Sequence, residues 1–269
     1  MGFPLKSPAS LLESRLLLTL ALLAALGWSL SNIDWDAPLV HSGGGASALR
    51  FLLALFPPDL SPEFLAIAAK ASWYTIAYAV AGVTLAVAIG LPLGAIASGT
   101  ILREDSPWRR PLMAGSRLFL AALRSVHELV WAVLLVASVG LSPMAGILAL
   151  ALPYGGILGR IYADLLQDVP QPPLRALRAS GAPPLAALVY GHFQMALPDI
   201  LSYTFYRLEC GIRSAAILSF VGIQGLGYQI QLSMHDLLFS QVWTLLIFLV
   251  GIIVLVDAWS TYVRRSLVS

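Results

Sequence analysis

A chain of 269 residues that is 58% hydrophobic and 11% charged departs from soluble domains, which carry about 25% charged residues. Its mean hydropathy of +0.82 suits a surface facing lipid, where water is absent and charges are costly. A net charge of +2 argues against a general polyanion-binding surface, and the single cysteine, Cys210, excludes an intrachain disulfide.

Six apolar stretches approach the roughly 20 residues that a spanning helix needs. In chain order they are Leu16 to Ile33, Ala66 to Ile101, Leu112 to Leu141, Ala145 to Tyr162, Leu185 to Val221 and Leu237 to Tyr262. The first follows Lys6 and Arg15 in the manner of a signal peptide. It lacks a small-x-small cleavage site and has Trp28 and Trp35 at its outer edge, so it is expected to stay as an anchor. The second and fifth exceed one straight span, with Gly90, Pro92 and Pro198 as candidate kinks. The expectation is an all-α integral membrane protein of about six spans. Residues 1–35 would form the N-terminus and first span, 36–63 an external linker with an interfacial helix, and 64–269 the core. In the linker, Gly43 to Gly45 precede an apolar patch at Leu49 to Phe56 and the stop Pro57-Pro58.

Basic residues set the orientation. With the N-terminus inside, Lys6, Arg15, Arg103, Arg109, Arg110, Arg117, Arg160, Arg175, Arg178, Arg264 and Arg265 fall at the inner face. Only Arg50 and Lys70 lie outside. This positive-inside bias places both termini in the cytoplasm. The inner loop 169–184 carries Pro170, Pro172, Pro173, Pro183 and Pro184, which bracket a short helix expected over Leu174 to Gly181.

Charges inside the spans are the strongest functional signal, because each is costly at mid-membrane. Arg124 with Glu128, and Glu209 with Arg213, are four residues apart, the spacing of pairs on one helix face. Arg207 has no carboxylate three or four residues away, so three arginines face two glutamates. The surplus positive charge favours an oxyanion, for which arginine offers a planar donor fork. With Ser214, these five residues make the candidate substrate pathway. The alternative reading has Arg207 paired with a carboxylate on another helix. Gly222-Ile-Gln-Gly-Leu-Gly227 follows an apolar helix, which rules against a dinucleotide fingerprint. A tight turn is its first reading, and an outer gate at Gly222, Gly225 and Gly227 its second.

The loop segment Arg175-Ala176-Leu177-Arg178-Ala179-Ser180-Gly181 resembles the coupling loop of ABC importer permeases. Arg175 stands where that family usually has glutamate, Leu177 where it has a second alanine, and Gln194 where it has proline. Further stretches resemble the phosphonate, phosphite and hypophosphite type: Tyr203 to Leu218, Phe220-Val221-Gly222, Gly225-Leu226-Gly227, Leu123 to Ala132 and Phe56 to Leu60. His127 replaces a usual proline. The resemblance implies the type I ABC importer permease architecture and inward movement of a small phosphorus oxyanion by alternating access. It implies a bacterial inner-membrane location, a second identical or related permease, two ATPases holding ATP and Mg, and a periplasmic or lipid-anchored binding protein. The segment 175–181 would dock on the ATPase.

Neither lysine follows a glycine, since Leu5 precedes Lys6 and Ala69 precedes Lys70, so the chain lacks a phosphate-binding loop of its own. No HExxH or GxSxG motif is present, and no catalytic residue, metal ligand, resident cofactor or nucleic-acid partner is expected. The competing readings are a permease for an amino acid or sulfonate, a secondary transporter, and an intramembrane enzyme built on His127 with Glu128 or on His192.

Overall fold

The computed structural model describes residues 8–33, 44–103 and 105–268, with side chains between residues 15 and 265. All regular structure among the described residues is helical. The chain falls into two compact units, residues 1–52 and 53–269.

The first unit holds α1 (Pro8–Ser31) and most of α2 (Gly44–Leu53). The described stretch of α1, Arg15–Ser31, is a shorter apolar helix. Part of the apolar patch at Leu49 to Phe56 lies on α2. Lys6, Trp35 and the linker residues 36–43 lie outside the described residues.

The second unit contains α3 (Pro62–Ser98), α4 (Arg109–Ser125), α5 (Glu128–Val139), α6 (Pro143–Gln167) and α7 (Gln171–Ala179). The short α8 (Pro184–Ala187) runs through a π turn, Leu188–Phe193, into α9 (Gln194–Leu218) and a 3-10 turn. The helices α10 (Leu226–His235) and α11 (Phe239–Val268) complete it. Three helices, α3, α6 and α11, are long and apolar enough to cross a membrane singly. Two bent pairs raise the number to five if each is one span: α4 with α5, turned by 84°, and Pro184–Val221 with α10, turned by 45°.

The expected third span, Leu112 to Leu141, is therefore two helices. Val126 and His127 adopt extended backbone conformations, and the His127 ring accepts the Leu129 N–H at 3.3 Å, capping α5. In contrast, α3 passes Gly90 and Pro92 without a break.

The core is the packing of α3 on α6. Gly82, Ala86, Gly90, Gly94 and Ser98 recur every four residues along α3, and Ala151, Gly155, Gly159 and Ala163 do so along α6. Such stripes let backbones approach closely, which drives association where lipid tails are as apolar as leucine. A Cβ added to Gly90 would lie 2.9 Å from the Gly159 nitrogen, and one on Gly94 would lie 2.7 Å from the Gly159 oxygen. The register, Gly82 at Leu150 and Gly94 at Gly159 and Tyr162, makes the two helices parallel. The second and fourth expected spans run in the same direction, as this requires.

The carbonyls at the end of α3 are all satisfied, as buried polar groups must be. Ala95 O accepts from the Ser98 hydroxyl at 2.7 Å and Ile96 O from Gly99 N at 3.0 Å. Arg117 Nε donates to Ala97 O at 3.0 Å, Gln167 Nε2 to Ser98 O at 2.7 Å, and Arg109 Nε to Gly99 O at 2.9 Å. Two of the arginines that carry the charge asymmetry thus also complement the negative end of the α3 dipole. Arg117→Ala is expected to cost about 2 kcal/mol, the range of a hydrogen bond to a charged donor. A lowered thermal midpoint of the purified protein in detergent checks this, and an unchanged midpoint rejects it.

At the other end of α3, Asp59 joins the start of α3 to the start of α11. Its carboxylate accepts Ser61 N–H at 3.0 Å and Gln241 Nε2–H at 3.2 Å, and its carbonyl accepts the Thr244 hydroxyl at 2.8 Å. The Ser61 bonds, with a smaller contribution from Gln241, hold its carboxyl below the usual carboxylate range.

Candidate functional site

One stripe of α9 carries Tyr203, Arg207 and Ser214, the last two being seven residues, or two turns, apart. Opposite stands Tyr154 of α6. The Arg207 guanidinium carbon lies 4.9 Å from the centre of the Tyr154 ring and 6.0 Å from that of Tyr203. Both fall within the reach of cation–π attraction. Arg207 Nε is buried without a hydrogen-bond partner, and no ion pair with Arg207 is found among the described residues. The alternative reading, a carboxylate supplied by another helix, finds no such residue there.

The remaining candidate residues separate into two groups. Glu128, at the start of α5, accepts the Ser214 hydroxyl at 2.7 Å, and Tyr154 Oη lies 3.0 Å from the same Ser214 oxygen. Glu209 and Arg213 are paired at 2.7 Å along the unbroken α9. Arg124 and Glu128 form no such pair, because α4 ends at Ser125 and the 84° turn removes the shared face. Arg124 is exposed. Glu128 instead has His127 Nε2 at 3.6 Å.

Tyr154 is the member that sequence reasoning missed. An uncharged tyrosine in an apolar helix carries little signal, though Gly155-Gly156 beside it bring α3 and α4 close to α6, and Gly211 of α9 lies against its ring. Below it Tyr162 Oη shares a hydrogen bond with Thr204 of α9. No cluster of three or more potential metal ligands occurs among the described residues.

The glycines of 222–227 form a packed turn. Gly222 has φ +99°, and a Cβ on Gly225 would meet Ser219 at 3.0 Å and Thr75 Oγ1 at 3.1 Å. One on Gly227 would collide with the Ala216 carbonyl. The Leu226 N–H is taken by Thr75 Oγ1 at 3.0 Å. Cavities of about 280 and 240 Å³ flank the turn, and Gln224 lines both.

The proline-rich loop 169–184 forms α7, three residues longer at its start than expected. Pro172 and Pro173 sit in its first turn, where a missing N–H costs nothing. Its end is a Schellman motif: Gly181 N–H reaches Arg178 O at 3.0 Å and Ala182 N–H reaches Leu177 O at 3.3 Å. Gly181, at φ +83°, supplies the left-handed conformation that the motif needs. Arg175, Ala176, Arg178, Ala179, Ser180 and Gly181 are exposed, Leu177 is half-buried, and Leu174 is fully buried. Leu174 fills the space over Gly191 in the π turn, where a Cβ would lie 2.6 Å from its Cδ2. Next to Gly191, buried His192 meets the Leu166 carbonyl at 2.7 Å through Nδ1. A carbonyl only accepts, so Nδ1 carries the proton.

A bundle seamed by glycines, with several helices long and apolar enough to cross a membrane and a short peripheral helix seated by Leu174, fits an integral membrane protein. The chain belongs to the family described as binding-protein-dependent transport system inner membrane component, which matches residues 90–269. It is 31% identical over 237 residues to the phosphite transport system permease protein PtxC of Stutzerimonas stutzeri, covering 86% of this chain and 83% of that one. It is 28% identical over 219 residues to the phosphate-import permease protein PhnE of Mycolicibacterium smegmatis, covering 80% of this chain and 40% of that longer one. The fold matches a chain of the inward-facing MetNI methionine ABC transporter with a TM-score of 0.68 at 21% identity, over 77% of this chain and 99% of that one. The architecture is thus that of a type I ABC importer permease, and the chain is the permease component rather than the ATPase.

Proposed function

We propose that this permease moves phosphite, phosphonate or a closely related small phosphorus oxyanion inward across the bacterial inner membrane by alternating access. The reading rests on Arg207, a guanidinium held between Tyr154 and Tyr203 with no carboxylate partner among the described residues. A charge kept at such cost needs a counter-ion, and a passing oxyanion supplies one. The names of the relatives, phosphite and phosphate permeases, point to the same chemistry.

The assembly proposed is two permeases, identical or related, two ATPases that bind ATP and Mg, and an external binding protein. Leu174 to Gly181 would receive the ATPases, and Gly222, Gly225 and Gly227 would form part of an outer gate. Arg124, Glu128, Glu209, Arg213 and Ser214 would border the passage. Binding must be weak enough to release the anion, so affinity is assigned to the external protein.

The test is the complete complex in proteoliposomes, supplied in turn with phosphite, a phosphonate, a sulfonate and an amino acid. Phosphite or the phosphonate should stimulate ATP hydrolysis and accumulate inside. Stimulation by the amino acid or sulfonate alone rejects the reading. In the same assay Arg207→Lys keeps the charge and loses the planar fork that stacks on tyrosine. A loss of about 1 kcal/mol, roughly fivefold in uptake, is expected.

A further inference from the structure

The polar groups beside Arg207 have a readable order of donors and acceptors. A carboxylate only accepts, so the Ser214 hydroxyl gives its one proton to Glu128 Oε1 at 2.7 Å. With that proton spent, the 3.0 Å contact between Tyr154 Oη and Ser214 Oγ has the phenol as donor. The Tyr154 proton is thus spent on Ser214 and the Ser214 proton on Glu128. What this cluster offers an arriving anion is one guanidinium and a set of acceptors: the second oxygen of Glu128 and the lone pairs of the Tyr154 phenol. A site for a fully ionised oxyanion would instead turn hydroxyl protons outward.

We propose that Glu128, with Ser214 and Tyr154 oriented by it, makes the passage selective for the singly protonated monoanion over the dianion. The inference rests on the oxyanion reading above and deepens it. The monoanion's ionised oxygens match the Arg207 fork, and its P–OH donates to a Glu128 or Tyr154 oxygen. The dianion has no proton to give and sets a second negative charge against the carboxylate, a repulsion that low dielectric strengthens.

The charged and titratable groups on the elements next to Glu128 come from three helices and one cap. His127 lies 3.6 Å away, and α6 supplies Tyr154. From α9 come Arg207, Cys210 and the closed Glu209–Arg213 pair, and α4 contributes the exposed Arg124. Protonation of His127 would also weaken the carboxylate's charge. The test therefore uses a His127→Asn background, in which asparagine retains a capping oxygen.

The complete complex with one binding protein is measured in proteoliposomes with inorganic phosphite, from about pH 6 to about pH 8. A phosphorus oxyanion with its second ionisation at about 6 changes from mixed to almost wholly dianionic over this range. Glu128→Gln keeps the shape and replaces an acceptor with an N–H donor. Its uptake relative to the parent should rise roughly tenfold from the acid to the alkaline end, because only the parent rejects the dianion. Ser214→Ala removes the hydroxyl that links Tyr154 to Glu128 and should shift the profile in the same direction by less. Using one binding protein throughout cancels its own preference, and basal ATP hydrolysis over the same range removes titration of the ATPase. A Glu128→Gln to parent ratio that stays flat with pH overturns the proposal while leaving the oxyanion reading intact. No phosphite uptake by the parent at any pH overturns both.

Discussion

Replacing Gly156 with leucine should remove most of the folded protein from the membrane. A Cβ at this position would lie 2.7 Å from the Leu120 carbonyl, 2.9 Å from Leu123 Cβ and 3.0 Å from the Arg124 nitrogen. Two of these are backbone atoms of α4, which cannot rotate away as a side-chain tip can. The helix would have to leave α6 as a body, taking with it the Arg109 and Arg117 bonds to the end of α3. Overpacking of a dense core costs about 1–3 kcal/mol when side chains can yield. Here they cannot, so about 3 kcal/mol or more is expected, a large fraction of the stability of any domain. Gly115→Ala on α4 is the control: its Cβ meets nothing within 4 Å, and alanine favours the helix. The readout is the yield of monodisperse protein in detergent, low for Gly156→Leu and unchanged for Gly115→Ala. Equal yields would show that α4 does not need this close approach.

The bundle was legible in the sequence wherever hydropathy and small-residue spacing coincide. The apolar stretches Ala66 to Ile101, Ala145 to Tyr162 and Leu237 to Tyr262 lie largely on α3, α6 and α11, each long and apolar enough to cross a membrane singly. Hydropathy averaged over a window does not register dihedral angles, so the break at Val126-His127, amid Arg124, Ser125 and Glu128, was merged into one span. That one turn decides the fate of the charge spacings. Four residues mean one face only on a continuous helix, so Glu209 and Arg213 meet whereas Arg124 and Glu128 do not. Prolines were read as breakers, yet Pro172 and Pro173 begin α7, because the first turn has no donor to lose. The isolation of Arg207 on its own helix could be counted from neighbours in sequence. Its ring partner on α6 could not, since Tyr154 and Ser214 meet across 60 residues through packing that no local pattern encodes.

Leu174 is the point at which α7 grips the bundle, and truncating it should cut the link between ATP and movement. Its side chain is fully buried while the outward residues of the same helix are exposed. Under the docking proposal, a force applied to α7 would reach α9 through the seat of Leu174 on Gly191, in the π turn that leads into Arg207's helix. Leu174→Ala opens a cavity there at a cost of about 2–4 kcal/mol, much of it local to α7. With α7 as the ATPase docking element, the variant complex should still hydrolyse ATP while phosphite uptake per ATP falls severalfold. Leu174→Met conserves volume and should restore coupling. The opposite lesion tests the same contact, because Gly191→Ala places a methyl 2.6 Å from Leu174 Cδ2 and lifts α7 off its seat. Underfilling and overfilling one contact have opposite effects on volume, and a shared loss of coupling would trace to the grip itself. If uptake per ATP is unchanged in both variants, force enters the bundle elsewhere.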